Sequence, residues 1–264
     1  MELRHAECSP GTAVQQKFKA DSTCVSAISF SPNVSERACP ADILLLHYTG
    51  MIDGPSALKW LCNPDSKVSC HYFVDEDGKV TQLVPEAVRA HHAGVSSWEG
   101  TTDINSRSIG IEIVNPGHEH GYREFPDEQI AAVIELSWDI VSRHKIKPHH
   151  VLAHSDVAPI RKQDPGEKFP WEELYEAGIG HWIAPAAIGD GALLQPGDAG
   201  AAVSAMQAAL RDYGYGQDVS GVFDEATIAV VTAFQRHFRP VRVDGIADHS
   251  TLRTLERLFS SRPS

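Results

Sequence analysis

Short apolar runs separated by polar turns fill the first two thirds of the chain, and helical spacing takes over in the last third. Residues 42–47 read Asp-Ile-Leu-Leu-Leu-His, a continuous apolar run ended by a histidine, as expected of a strand buried on both faces whose last residue reaches a sheet rim. Residues 55–62 follow Gly54 and predict a short helix. Residues 69–84 hold two β-rich runs around Asp77-Gly78, which predicts a hairpin because glycine supplies the positive φ of the turn. Residues 108–114 alternate and predict a central strand. Residues 126–144 start at a proline, carry Asp127 and Glu128 in the first turn, and repeat Ile130, Val133, Ile134, Ser137, Ile140 and Val141 at helical spacing. Residues 150–154 predict another short strand ending on a histidine, and residues 22–40 a lead-in arm with little periodicity. Strands interleaved with helices predict an α/β or α+β fold, a mixed central sheet flanked by helices.

After residue 190 the pattern becomes three amphipathic stretches, 199–213, 224–238 and 249–259, punctuated by Gly214, Gly216, Gly221 and Gly245. A join rich in glycine and proline, residues 185–200, precedes them. Composition shifts at the same place: twelve of the fourteen histidines lie before residue 190, and no lysine lies after it. The reading is two domains, 1–190 and a three-helix domain at 191–264.

Charge and cysteines narrow the classes. Lys plus Arg number 23 against 35 Asp plus Glu, a net charge of -12, which repels phosphate backbones and argues against nucleic acid as a partner. No stretch approaches the ~20 apolar residues of a membrane helix, so no transmembrane segment is expected. Cys8, Cys24, Cys39, Cys62 and Cys70 are odd in number and show no close pairing, favouring free thiols over a disulfide framework. Residues 1–10 contain no apolar core of an export signal. The oligomeric state is taken as monomer by default.

The chemistry gathers around two histidines. His47 and His154 end neighbouring apolar strands and can converge at one rim. His154 is followed by an irregular loop carrying Asp156, Lys162 and Asp164. Two imidazoles and one carboxylate make a three-ligand zinc set with the fourth position open to water, a catalytic pattern; His47, His154 and Asp164 are the candidate ligands. Glu112 projects alone from its strand, and beside a metal it can act as general base. The ammonium of Lys162, two residues before Asp164, can stabilise an oxyanion.

Five segments then carry a resemblance: LLLHYTGM (44–51), VSCHYFVDEDGKVTQLV (68–84), VRAHHAG (88–94), INSRSIGIEIVNPGH (104–118) and VLAHSDVAPIRKQDPGEKFPW (151–171). In these the chain resembles the zinc-dependent N-acetylmuramoyl-L-alanine amidases of the peptidoglycan-recognition-protein-like superfamily, most closely the AmiD branch of the AmpD/AmiD group. The resemblance implies one zinc ion on His47, His154 and Asp164, with Glu112 as base and Lys162 as transition-state stabiliser. It also implies substrate contacts at Arg89, His92 and Asn105. The implied reaction is hydrolysis of the amide between N-acetylmuramic acid, its anhydro form included, and L-alanine in peptidoglycan or muropeptides. His91 departs from the tryptophan common in relatives, and Cys70 is read as a small buried residue. Segments 197–210, 221–238 and 243–255 resemble a peptidoglycan-binding three-helix domain. That domain and the AmiD likeness favour the bacterial envelope, the periplasm; cytoplasmic recycling of anhydromuropeptides and a non-catalytic recognition protein are the rival readings.

Overall fold

A computed structural model describes residues 18–191 and 193–262. Cys8 and the stretch 1–10, read above as a free thiol and as lacking an export signal, lie outside them. The elements run β1 (Ala27–Ile28), β2 (Val34–Glu36), β3 (Ile43–Tyr48), α1 (Gly54–Leu61), β4 (Tyr72–Val74), β5 (Val80–Gln82), β6 (Val88–Ala90), α2 (Ile104–Arg107), β7 (Ser108–Ile113), α3 (Asp127–His144), β8 (Val151–Ala153), α4 (His154–Val157), α5 (Trp171–Glu176), α6 (Ala201–Tyr213), α7 (Glu225–Phe238) and α8 (His249–Ser260).

The main sheet has six strands in the order β1-β5-β4-β7-β3-β8, and β2 pairs with β6 in a separate ribbon. It is mixed: β3 runs parallel to β7 and β8, whereas β4 and β5 form the antiparallel hairpin expected around Gly78. Ile43 to Leu46, in the strand next to the β8 edge, are fully buried, as a strand covered on both faces requires. In the β3–β7 register His47 faces Glu112, so both side chains leave the same face at the same level. The lead-in arm holds β1 and β2, which the apolar pattern does not reveal because two or three residues are too few to show a period. Strand β8 stops at Ala153, and His154, expected as a strand end, opens α4 instead.

The three C-terminal helices begin where the spacing places them. Asp224 and Asp248 cap α7 and α8 alike, each Oδ1 accepting a backbone N–H and a hydroxyl, from Thr227 and from Thr251. Gln207 and Gln235 repeat one clasp: Oε1 accepts the amide of Gly221 or Gly245, and Nε2 donates to the carbonyl of Val222 or Ile246. The two loop–helix units are thus versions of one design.

These helices share a continuous apolar core with the sheet-bearing part, in which Trp98, Tyr213, Tyr215 and Phe234 belong to the same cluster as Leu44 and Ile111. Trp98 is fully buried between Tyr213 and Tyr215. Gly214 makes that fit possible: a Cβ there would sit 2.5 Å from the indole, and its φ is +142°. No helix among the described residues is long and apolar enough to cross a membrane.

Candidate active site

Strands β3 and β8 lie side by side, and their rim brings His47 and His154 together as the sequence predicts. His47 Nδ1 is 2.8 Å from His154 Nδ1 and 3.1 Å from Asp164 Oδ2, and His154 Nδ1 is 2.9 Å from Asp164 Oδ2. All three side chains are buried.

The outer ring nitrogens decide what the inner ones present. Ser108 donates its hydroxyl to the Ile104 carbonyl (2.6 Å) and therefore accepts from His92 Nε2 (3.3 Å). His92, whose protonation is pushed well down by burial and by neighbouring His47 and His71, then accepts at Nδ1 from His47 Nε2 (2.9 Å). His154 Nε2 donates to the Ala93 carbonyl (3.1 Å). Both Nδ1 atoms consequently turn lone pairs toward a carboxylate oxygen. Burial, then the nearby His154, lowers His47 to about 4, so a proton is a poor filler for this point at neutral pH. Three acceptor atoms within 3.1 Å, with each outer nitrogen already engaged, fit a divalent cation.

A cleft of about 370 Å³ opens beside these donors, lined among others by Tyr48, Trp60, His91, Glu112 and Lys162. Glu112 Oε2 is buried without a hydrogen-bond partner. Burial, then the charge of Asp164, pushes the Glu112 carboxyl up to about 8, with Lys162 pulling it back. A second line of polar groups runs along the wall: Tyr48 donates to His118 Nδ1 (3.0 Å), and His118 Nε2 donates to Glu167 (3.1 Å). Cys70 is fully buried, and burial, then Glu112, raises its thiol well above the ordinary value, which suits a packing role.

The three residues read as substrate contacts occupy different places. His92 lines the cleft but spends its ring on His47 and Ser108. Asn105 is buried, and its Oδ1 accepts the amides of His92 (2.9 Å) and Ala93 (2.8 Å); it fixes the loop that orients both histidine ligand candidates. Arg89 pairs with Asp103 (3.0 Å) and donates to Ser35 Oγ (3.2 Å). It reaches the cleft only through Ser35, which bonds His91 (3.0 Å). The sequence reading missed His118, whose place in the segment 104–118 carries no local sign of a contact with Tyr48.

A cleft at a sheet rim, with converging His, His and Asp donors beside an unpaired carboxylate, has the make-up of a metal-assisted hydrolase site. Residues 37–167 match the N-acetylmuramoyl-L-alanine amidase family and residues 199–255 a peptidoglycan binding domain. The chain is 38% identical over 230 residues to the N-acetylmuramoyl-L-alanine amidase AmiD of Escherichia coli, covering 82% of each protein. The solved complex of E. coli AmiD with anhydro-N-acetylmuramic acid-L-Ala-D-gamma-Glu-L-Lys matches with a TM-score of 0.72 at 36% identity, over 86% of this chain and 92% of that one. AmpDh3 of Pseudomonas aeruginosa, solved with an anhydromuramic pentapeptide, matches with a TM-score of 0.70 at 31% identity, over 89% and 96%. The chain belongs to the N-acetylmuramoyl-L-alanine amidase family, and its reaction is hydrolysis of the amide joining N-acetylmuramic acid to L-alanine.

Proposed function

We propose that the enzyme works with one zinc ion held by His47, His154 and Asp164, on the lactyl–L-alanine amide of peptidoglycan or of its anhydromuropeptide fragments. The observation that carries this is the convergence of two imidazole lone pairs and a carboxylate oxygen at one point. Zinc bound there supplies Lewis acidity, polarising the scissile carbonyl and acidifying water toward neutral pH. Glu112, unpaired and facing the same cleft, takes the proton of the attacking water and returns it to the departing amine of L-alanine. Lys162 faces the oxyanion that develops on the carbonyl. His92 and Asn105 hold the ligand frame, and Arg89 supports His91 at the cleft wall through Ser35.

The C-terminal peptidoglycan binding domain supports polymeric wall as a substrate and the periplasm as the setting, and the likeness to AmiD in complex with an anhydromuramyl tripeptide supports fragments as substrates of the same site. A binding domain raises local concentration only on a repeating ligand. The second reading, cytoplasmic recycling, is supported by the free thiols of Cys24, Cys39, Cys62 and Cys70 and by the match to AmpD enzymes.

Incubation with purified sacculi and with soluble anhydromuropeptides, before and after a chelator, tests both readings. Release of stem peptides that begin with L-alanine, abolished by the chelator and restored by zinc, is expected. Full activity in the chelated enzyme would remove zinc from the reaction, and turnover of fragments without sacculi would favour recycling.

A further inference from the structure

The segment 154–167 carries His154, Lys162 and Asp164, and its regular structure ends at Val157. Much of its anchorage comes from outside the catalytic sheet. Asp156, fully buried, accepts the Ala153 amide at Oδ2 (2.8 Å), His237 Nδ1–H at the same oxygen (2.7 Å) and the Tyr215 hydroxyl at Oδ1 (2.7 Å). Trp171 stacks on His237 at 3.7 Å. At the other end of the segment, Arg236 donates to Gln163 Oε1 (2.9 Å) and lies 3.6 Å from Glu167 Oε2. Arg236 and His237 are consecutive in α7, so one turn of a C-terminal helix grips the segment just after His154 and on both sides of Asp164.

A domain that served only as a wall tether would need a modest, solvated contact with the catalytic part. Here a carboxylate is buried completely, and a buried charge is tolerated only when it is fully paired. Two of its three partners belong to the C-terminal part of the chain, His237 in α7 and Tyr215 just after α6. We propose that Arg236, His237 and Tyr215 are positioning residues for the catalytic centre. The C-terminal helices hold the loop that presents His154, Lys162 and Asp164, whatever else they bind. The inference rests on the ligand assignment made above.

The test uses the full-length chain loaded with zinc and the variants Arg236→Met and Tyr215→Phe. Four quantities are measured: the rate of zinc loss to a chromophoric chelator, kcat and KM on a soluble anhydromuramyl tripeptide, retention on isolated sacculi, and the thermal midpoint. Partners that orient metal ligands typically matter by about tenfold or more. Zinc loss about tenfold faster and a lower kcat, with KM within about twofold and sacculus retention unchanged, is the expected result. Arg236→Lys, which keeps a charge beside Glu167, recovers part of kcat. If Tyr215→Phe melts too low to assay, Arg236→Met decides, because its side chain reaches the rim of the interface. Wild-type zinc loss and kcat in both variants would overturn the positioning role. A wild-type chain that takes up no zinc would overturn the ligand assignment itself, and the inference with it.

Discussion

Glu112 stands directly across the β3–β7 ladder from His47, which puts a lone carboxylate and a metal-type donor on one face at one level of the sheet. The register is enforced from below. Leu44, Leu45 and Leu46 oppose Ile109, Gly110 and Ile111, and a slip of one residue would put His47 and Glu112 on opposite faces of the sheet. The core that makes the strand pair also sets the distance between the proposed ligand and the proposed base.

The first prediction tests that division of labour. Glu112→Gln keeps the shape of the side chain and removes its capacity to take a proton. Turnover should fall by about 10²- to 10⁴-fold, the usual contribution of general base catalysis, while zinc content stays near that of the wild type. Metal analysis beside a rate assay reads both, and loss of the metal together with the rate would make Glu112 a ligand.

The second concerns pH. A base works only when ionised, so kcat/KM rises with pH through the Glu112 value. Burial and Asp164 push that value from the ordinary 4.5 up to about 8, and a dication on the neighbouring donors draws it back down. The rising limb should therefore lie between those limits. Lys162 lowers the Glu112 value, so Lys162→Met must move the limb to higher pH, besides reducing kcat by about 10²-fold or more through the lost oxyanion partner. A limb that stays in place or moves to lower pH would detach Lys162 from Glu112.

Much of this was legible in the residue pattern because the decisive pieces are local. A four-residue apolar run followed by His47, the Asp77-Gly78 turn and the period of residues 127–144 each carry their signal within a single stretch of eighteen positions or fewer. So does the pairing of His154 with Asp164, ten residues apart. What the pattern hid depends on contacts across the chain. Strands β1, β2 and β6 are two or three residues long and borrow their geometry from partners. The role of His92 depends on the proton order from Ile104 through Ser108, which no spacing displays. Asp156 and His237 are separated by 81 positions, and a buried aspartate reads like any loop aspartate until its partners arrive.

Gly110 gives the third prediction. A Cβ at this strand position would lie 2.6 Å from Nδ1 and Cε1 of His92, closer than packing allows. Gly110→Ala should push His92 away from His47, weaken zinc binding by about tenfold and cost about 1–3 kcal/mol of stability through overpacking. Removing the ring relieves the clash, so adding Gly110→Ala to His92→Ala should cost little further stability. Chemical denaturation of the two single variants and the double variant measures the coupling; fully additive losses would show that the clash is not the cause.

The last prediction concerns the β4–β5 side of the sheet, away from the cleft. The Glu86 carboxylate is buried and accepts from Tyr72, Arg143 and His144, tying the end of α3 to the β4–β5 hairpin. Burial alone would raise its pKa, but hydrogen bonds from Arg143, His144 and Tyr72 outweigh it and hold the group below the ordinary carboxylate range. The folded value lies below the unfolded one, so the stabilisation is complete at neutral pH and is lost as pH falls below about 4.5. Arg143 is 33% exposed, which places the cost of Glu86→Gln at about 2 kcal/mol, under the range for a fully buried pair. Urea denaturation should show that gap between wild type and variant at pH 7 and a narrower one at pH 4. An equal gap at both would mean that the ionised carboxylate is not what holds α3 to the hairpin.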